Sequence, residues 1–351
     1  GGGEPDLETV QRLPKRIRRY DNQDLVYLHY ALFRYFDRNK SYERAWHHLA
    51  RGNELQKSLF DEWGLTYSRV REEALIGQLK QIFTGQDTAD PGAFGFKSNA
   101  PIFVMGMPRS GSTLVESILD AHSEVRGRGE DTAFAPLVGD LLSALAQPAA
   151  LQGPRVEAVG RSYVEQMTRG SSEPRFVDKM LRNLWHVGYI QVMVPNSCLI
   201  ETVRNELDVA FSCFATPFEG RGLPWAWDME DIAHQLNMTQ AVSNIWENAY
   251  PGVVMQVHYD DMTEDPEGTA RAIADHCGLE WEDALLKFAE NKRSVATASN
   301  RQIRKGIYKR EGHKWLPYLR WLSPLIDGLG KRGKVLVAEA QAEAAAAAAS
   351  K

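Results

Sequence analysis

Hydrophobic and polar positions follow a helical period through the first part of the chain. From residue 23 to about residue 81, apolar side chains recur at spacings of three and four, which is typical of amphipathic helices. They form two stripes, the first made of Leu25, Leu28, Leu32 and Phe36 and the second of Ala45, Leu49, Leu55 and Leu59. The polar segment "DRNKSY" separates the stripes, so this region is predicted to form an α-helical hairpin.

A different pattern follows the turn-rich segment 88–101. Short apolar runs that predict strands, "IFVMG", "RFVDK", "SCLIETV" and "GVVMQVHY", alternate with helical segments at 112–121, 184–194, 206–214 and "PEGTARAIADHCG". Strands separated by helices require parallel crossovers and a sheet covered on both faces. The pattern therefore predicts an α/β, doubly wound domain with ligands at the carboxyl ends of its strands.

Composition adds few constraints to this picture. The 351 residues are 43% hydrophobic and 25% charged, as in ordinary globular proteins, and the net charge of −5 gives no general affinity for nucleic acids or membranes. No apolar run approaches the roughly 18 residues of a membrane span, and the opening segment lacks a signal-peptide core. A soluble, cytoplasmic protein is the expectation. The cysteines lack metal-site spacing, and Cys198 and Cys213 are predicted to be buried free thiols.

A phosphate-binding loop is predicted directly after the first strand. In "GMPRSGSTLVESIL", Gly106, Gly111 and Thr113 keep the spacing of G-x-x-x-x-G-K-[ST], but Ser112 stands where ATP and GTP enzymes have lysine. Without that lysine a triphosphate would be poorly neutralised, so a donor with a shorter anhydride fits better. A glycine turn that caps a helix and binds nothing is the alternative interpretation.

Two further segments predict basic groups at strand ends. In "VRNELDVAFSCF", Arg204 ends a strand and Ser212 lies two turns into the following helix, so the two side chains can converge on a second phosphate. Arg204 could instead pair with Glu206 or Asp208. In "FVDKMLRN", Lys179 follows a strand, although a lysine at such a position is often a surface residue.

Together these segments resemble the sulfotransferases that use 3′-phosphoadenosine-5′-phosphosulfate (PAPS). The loop "PRSGSTLVE" and the element "VRNELDVAFS" occur in the family's order, and "GMPRSGSTLVESILDAHSEVRGRGEDT" is similar to tyrosylprotein sulfotransferases and to bacterial enzymes joined to tetratricopeptide helices. The resemblance covers residues 101–324 and includes the preceding hairpin. It implies PAPS as donor with no required metal, and a donor site formed by Arg109, Ser110, Gly111, Ser112, Thr113, Arg204, Ser212, Ser299 and either Lys305 or Arg304.

The resemblance also implies catalytic roles. Glu130, in "GRGED", would be the base that takes the acceptor's proton, because the tyrosylprotein enzymes carry a glutamate in a similar segment. This chain has one more residue before its acid pair, so Asp131 is an alternative, and His122 and His186 are weaker ones. Charge on the leaving oxygen would be stabilised by Lys179 and Arg109.

The acceptor is less constrained. The aromatic segment 216–231 lines the acceptor cleft in one interpretation, while Trp225 and Trp227 anchor it to the core or form a dimer contact in another. A hydroxyl or amine on a peptide tyrosine or a small molecule is expected as acceptor, with a homodimer left open and neither nucleic acid nor membrane as partner.

The sequence thus predicts a sulfotransferase with a P-loop-type parallel sheet and an N-terminal, tetratricopeptide-like hairpin. The expected organisation is a helical segment at 1–87, a linker at 88–100, the sulfotransferase domain at 101–335 and a low-complexity tail at 336–351. Two rival functions are a P-loop kinase that uses ATP and magnesium, and a helical-repeat binding protein with an inactive nucleotide domain.

Overall fold

A computed structural model describes residues 21–83, 93–134, 136–137, 154–220, 222–288 and 312–349. Within these ranges the helices and strands are, in chain order, α1 (Asn22–Arg38), α2 (Tyr42–Glu62), α3 (Arg69–Phe83), β1 (Pro101–Gly106), α4 (Ser112–Asp120), β2 (Val125–Gly127), α5 (Pro154–Thr168), β3 (Arg175–Asp178), α6 (Val187–Met193), β4 (Cys198–Val203), α7 (Glu206–Phe214), α8 (Met229–Ala249), β5 (Val254–His258), α9 (Tyr259–Glu264), α10 (Pro266–Cys277), α11 (Ser323–Leu329) and α12 (Lys331–Ala349).

The chain divides into two compact units. The first takes its described residues from Gly1–Arg69, Glu206–Leu236 and Gly312–Lys351, and the second from Val70–Asn205 and Asn237–Glu311. Both units are discontinuous in sequence, whereas the sequence predicted consecutive domains. The predicted boundaries stay a prediction, although α12 runs without a break through the predicted start of the tail.

The first unit is helical. The predicted hairpin is present: α1 ends at Arg38, α2 begins at Tyr42, and Ala45 and Leu49 of α2 are fully buried. Asp21 caps α1 by accepting a hydrogen bond from the backbone N–H of Asp24 at 2.8 Å, which satisfies a donor that the first turn leaves unpaired. The likeness of this hairpin to tetratricopeptide repeats stays a prediction.

The second unit contains the predicted parallel sheet. Within the described residues, its five strands lie in the order β2-β3-β1-β4-β5, and every adjacent pair is parallel. All six residues of β1 are buried, as the central strand of a sheet covered on both faces requires. Phe103 and Met105 pack into a cluster with α3 and α5, while Ile102 and Val104 pack with α4 and α10. The predicted α/β fold is confirmed.

One predicted helix has a different form. Residues 184–194 were expected as a single α-helix, but a 3₁₀ turn spans Leu181–His186 before α6 begins. The Asp178 carboxylate accepts hydrogen bonds from the backbone N–H of Met180 and the side chain of Asn183, and these bonds hold the tighter turn. Local hydrogen bonds to the Asp178 side chain, which hydrophobic periodicity does not register, favour the tighter turn in this segment.

The cysteines are buried and free, as predicted for Cys198 and Cys213. Cys277, at the end of α10, lies with its Sγ 2.7 Å from that of Cys198 on β4, inside the cluster that covers one face of the sheet. Among the described helices, none is long and apolar enough to cross a membrane.

Candidate active site

Most of the predicted site residues of the second unit lie at the edge of the sheet where the strands have their carboxyl ends. β1 runs into the glycine-containing loop, β3 is followed by Lys179, β4 by Arg204 and β5 by Tyr259. The chain after β2 continues alongside β3, because the N–H of Lys179 donates to the carbonyl of Gly129 at 2.9 Å, and this brings Glu130 to the same edge. Ligands of open parallel sheets bind at this edge.

The loop between β1 and α4 depends on two glycines. Gly106 has a φ of 128°, and a Cβ there would lie 2.7 Å from the carbonyl oxygen of Thr202. Gly111 has a φ of 112°, and its Cβ would lie 2.8 Å from the terminal methyl of Met262. Arg109 also adopts a positive φ, 70°, which is uncommon for a residue with a side chain. The sequence spacing that indicated a phosphate loop thus corresponds to a tight turn against β4 and α9.

The loop hydroxyls have different surroundings. Ser110 donates to the carbonyl of Met107 at 2.6 Å, and its hydroxyl lies 2.6 Å from that of Thr202, so it ties the loop to β4. Ser112 and Thr113 begin α4, and the backbone N–H groups of a first helical turn point out of the N-terminus of the helix. This arrangement provides donors for an anion. The predicted contacts of these residues with a donor stay predictions.

Arg204 packs directly against the loop. Its Nη1 donates to the carbonyl of Arg109 at 3.2 Å, and its guanidinium carbon lies 4.3 Å from the centroid of the Tyr259 ring. Its Nε is buried and has no hydrogen-bond partner within the described residues. The alternative carboxylates have other partners, because Glu206 pairs with Arg332 and Asp208 with His313. Arg204 is therefore a cation beside the loop, and one of its donors is unused by the part of the chain that the structure describes.

Lys179 and Glu130 form an ion pair at the same edge. The Lys179 Nζ donates to the Glu130 Oε1 at 2.7 Å. The lysine side chain is fully buried, whereas 52% of the Glu130 side chain is exposed. Of the proposed catalytic pair, then, the carboxylate faces solvent and the ammonium lies in the interior.

The backbone around Lys179 is held by buried hydrogen bonds. Asp178, immediately before it, accepts from the hydroxyl of Tyr163 at 2.7 Å and from the N–H of Met180 at 2.9 Å. Burial raises the pKa of Asp178 to about 6. Together with the bond from Lys179 to Gly129, these contacts fix the direction in which the chain leaves β3.

The alternative bases have structural partners. Asp131 accepts a hydrogen bond from the N–H of Ala133 at 2.9 Å, within its own turn. His122 is buried, and its Nε2 lies 2.9 Å from the carbonyl oxygen of Glu280. His186 packs against Phe134 and Tyr189, and burial lowers its pKa to about 4. Glu130 alone among the four contacts Lys179 in the part of the chain that the structure describes.

The remaining predicted site residues belong to the helical unit or fall outside the described residues. Ser212 is in α7 of the helical unit, and Ser299, Arg304 and Lys305 lie outside the described residues. Trp225 and Trp227 are only 5% and 3% exposed. The Trp227 ring lies 5.5 Å from that of Phe60 and 6.2 Å from that of Phe218, between centroids, so it anchors its segment in the helical unit.

Sequence reasoning missed Glu116, Thr202 and Tyr259. Glu116 is 3% exposed in α4, where its Oε1 accepts from the N–H of Gly129 at 2.7 Å and its Oε2 lies 3.9 Å from the Lys179 Nζ. The available signal for it was the single acid of the segment "STLVESIL". Tyr259 follows a predicted strand, as Lys179 and Arg204 do, so its position at a strand end was the available signal. Within the described ranges, no group of three or more His, Cys, Asp or Glu side chains could hold a metal ion.

The buried position of Glu116 leads us to expect that the free energy of unfolding depends on pH. Burial raises its pKa from 4.5 to about 7, and nearby Lys179 only partly opposes this. Between these values the unfolded state loses a proton that the folded state keeps, so the contribution of Glu116 to the free energy of unfolding falls as the pH rises through this window. Glu116→Gln removes the titration. In thermal melts, we expect the melting temperature of the variant minus that of the wild type to increase from pH 5 to pH 8, whereas a constant difference would contradict this assignment.

Comparison with known proteins identifies the family. A model described as "Sulfotransferase family" matches residues 101–283, which is more than half of the chain. Protein-tyrosine sulfotransferase A of Caenorhabditis elegans is 25% identical over 208 residues, which cover 55% of this chain and 53% of that protein. An uncharacterized protein of Aquifex aeolicus is 34% identical over 327 residues, 88% of this chain and 42% of that protein. The chain thus spans about half the length of these curated relatives or less.

A solved structure shows a weaker likeness. The sulfotransferase domain of the Synechococcus PCC 7002 olefin synthase has a TM-score of 0.46 and 15% identity, covering 63% of this chain and 88% of that one. The family match covers the whole sheet, from the start of β1 to beyond β5, with both Lys179 and Arg204. On that match, the chain belongs to the sulfotransferase family.

Proposed function

We propose that this protein transfers the sulfuryl group of PAPS to a hydroxyl or amine acceptor by in-line displacement. The observation that carries the proposal is the ion pair of Lys179 and Glu130 at 2.7 Å, on the sheet edge that also bears the loop and Arg204. A base and a cation at one ligand-binding edge are the two groups that this transfer needs. Membership of the sulfotransferase family supports the same reaction.

The residues of the donor site suit a bisphosphorylated nucleotide. The loop carries Ser112 in place of the lysine that neutralises a γ phosphate, which favours a donor without one and without an obligatory magnesium ion. The buried Nε of Arg204, which has no hydrogen-bond partner among the described residues, would be satisfied by an anion beside the loop. We propose that the loop residues 109–113 bind the 5′-phosphosulfate and that Arg204 binds the 3′-phosphate.

When bound, PAPS supplies the sulfuryl group and a phosphate leaving group. Glu130 takes the proton of the acceptor as the acceptor oxygen or nitrogen attacks sulfur. Lys179, with Arg109, then stabilises negative charge on the leaving oxygen. Ser112 and Thr113 position the group for in-line attack. No covalent intermediate with the protein is needed.

The acceptor is proposed on the strength of relatives. The C. elegans relative is named a protein-tyrosine sulfotransferase, so a peptide tyrosine is one candidate acceptor for this chain. Because the chain covers only part of such relatives, a small molecule bearing a hydroxyl or amine stays the second candidate. Release of 3′,5′-adenosine bisphosphate from PAPS reports on either acceptor.

Arg204→Ala tests the donor assignment. We expect the variant to lose about 1.5 to 3 kcal/mol of binding free energy for 3′,5′-adenosine bisphosphate, the range for a hydrogen bond to a charged group. Affinity for AMP, which lacks the 3′-phosphate, should hardly change. Isothermal titration calorimetry measures both. Arg182→Ala is the control, since Arg182 pairs with Glu72 at 2.8 Å and has no proposed role. Equal losses for the two nucleotides would show that Arg204 only supports the loop.

A further inference from the structure

Glu116 is a buried carboxylate to which the proposed mechanism gives no role. It lies in the second turn of α4, the helix that begins at the loop, and is 3% exposed. Its Oε1 accepts a hydrogen bond from the N–H of Gly129, the residue before Glu130. Its Oε2 has no hydrogen-bond partner within the described residues and lies 3.9 Å from the Lys179 Nζ.

This position is costly for an acidic side chain. A buried carboxylate with one unpaired oxygen loses hydration that its surroundings do not fully replace. A glutamine would donate and accept at the same place and would keep the bond to Gly129 without carrying a charge. The hydrogen bond alone therefore does not explain why the site holds a carboxylate, whereas the proximity of Lys179 does.

The charge balance around Lys179 changes during the proposed reaction. Its ammonium is fully buried, and in the described part of the chain its ion pairs are with Glu130 at 2.7 Å and Glu116 at 3.9 Å. When Glu130 accepts the acceptor's proton, it becomes neutral and no longer offsets the charge of Lys179. A buried ammonium without a counter-charge is strongly unfavourable. Among the described residues, Glu116 is the carboxylate that then remains beside Lys179, in addition to the negative charge that develops on the leaving oxygen.

We infer that Glu116 is a positioning residue of the sulfuryl transfer, which holds Lys179 as its counter-charge while Glu130 carries the proton. This inference rests on the proposed function. In the step, the bond from the acceptor to sulfur forms, the bond from sulfur to the bridging oxygen breaks with its electron pair on that oxygen, and the acceptor's proton moves to Glu130. Lys179 keeps its protons, and Glu116 neither gains nor loses one.

Asp120 supplies a matched control on the same helix. Asp120 lies four residues after Glu116, and its Oδ1 accepts a hydrogen bond from the N–H of Gly127 at 2.6 Å. Both acids therefore accept a backbone hydrogen bond from the chain at or just after β2. The ion pairs of Lys179 within the described residues include Glu116 but not Asp120. A purely structural clamp would make Glu116→Gln and Asp120→Asn behave alike.

The test is a double-mutant cycle on kcat, measured at pH 8 as release of 3′,5′-adenosine bisphosphate from PAPS. The probe acceptors are a tyrosine-containing peptide and 4-nitrophenol, and a melting transition confirms that each variant is folded. We expect Glu116→Gln to lower kcat about tenfold in the wild-type background and less than about twofold in a Lys179→Met background. The difference between the two effects is a typical coupling between contacting groups. Asp120→Asn should have the same small effect in both backgrounds.

A second variant separates charge from hydrogen bonding. Glu116→Asp keeps the negative charge but shortens the reach to Gly129, so its kcat should stay within about threefold of the wild type, the low end of such couplings. The inference would be overturned if Glu116→Gln lowered kcat by the same factor with and without Lys179. It would also be overturned if Glu116→Asp and Glu116→Gln lowered kcat equally. If wild-type protein releases no bisphosphate from PAPS with either acceptor, the proposed function fails first, and the inference fails with it.

Discussion

Replacing Glu130 with glutamine is expected to lower kcat by roughly 10²- to 10⁴-fold, the usual contribution of a general base. Glutamine has nearly the same shape and still accepts a hydrogen bond from Lys179, but it cannot take a proton from the acceptor. The Glu130 side chain is 52% exposed, so its replacement should leave the fold and the affinity for 3′,5′-adenosine bisphosphate near their wild-type values. Steady-state kinetics with PAPS and calorimetry with the bisphosphate measure the two effects.

Asp131→Asn is the matched control for Glu130→Gln. Asp131 is the neighbouring acid, and its carboxylate accepts from the N–H of Ala133, a bond that asparagine keeps. We expect a kcat close to that of the wild type. A large loss in Asp131→Asn together with near-normal turnover in Glu130→Gln would move the base to Asp131, and normal turnover in both would leave His122 or His186 to be tested.

Replacing Lys179 with methionine is expected to lower kcat by about 10²- to 10³-fold, the cost of removing one group that stabilises charge in the transition state. Methionine fills a similar volume in the buried position but brings no charge to the leaving oxygen. Because this interaction grows as the bond to sulfur breaks, kcat should fall and the KM for PAPS should change little. Initial-rate measurements over a range of PAPS concentrations separate the two parameters.

Lys57→Met is the control for the loss of a paired lysine. Lys57 donates to Asp228 at 2.6 Å in the helical unit, so the variant also removes an ion pair but leaves the sheet edge intact. Its kcat should match that of the wild type. If Lys179→Met instead raises the KM for PAPS at constant kcat, Lys179 binds the donor in the ground state and does not act on the leaving group.

Much of the fold was predictable because its signals are local. The buried strands β1 and β4 read as short apolar runs, and the helices α4, α7 and α10 begin within about one residue of their predicted starts. β2 has only three residues, too few to show a period, and its place beside β3 arises from a crossover that no local pattern encodes. Each of the two units combines segments that are distant in sequence. Changes in amino-acid composition along the chain therefore could not show which segments belong to which unit.

Individual residues of the candidate site could be predicted from the sequence, but the contacts between their side chains could not. Lys179 and Arg204 could be located because each follows a predicted strand. The contact between Lys179 and Glu130 joins residues 49 positions apart and depends on the pairing of β2 with β3. Glu116 was hidden because one of two acids in a short helix of mixed polarity has no distinctive pattern, and only packing shows that it lies 3.9 Å from the Lys179 Nζ.

The central claim, a donor site for PAPS, is tested most directly by calorimetric titration of the wild-type protein with 3′,5′-adenosine bisphosphate. Parallel titrations use ADP, and ATP with and without magnesium. The account predicts tight, metal-independent binding of the bisphosphate and much weaker binding of the other nucleotides, because Arg204 has a phosphate to bind only in the first. Tight binding of magnesium-ATP alone would contradict the account and favour a P-loop kinase, and binding of none of them would favour a protein with an inactive nucleotide domain.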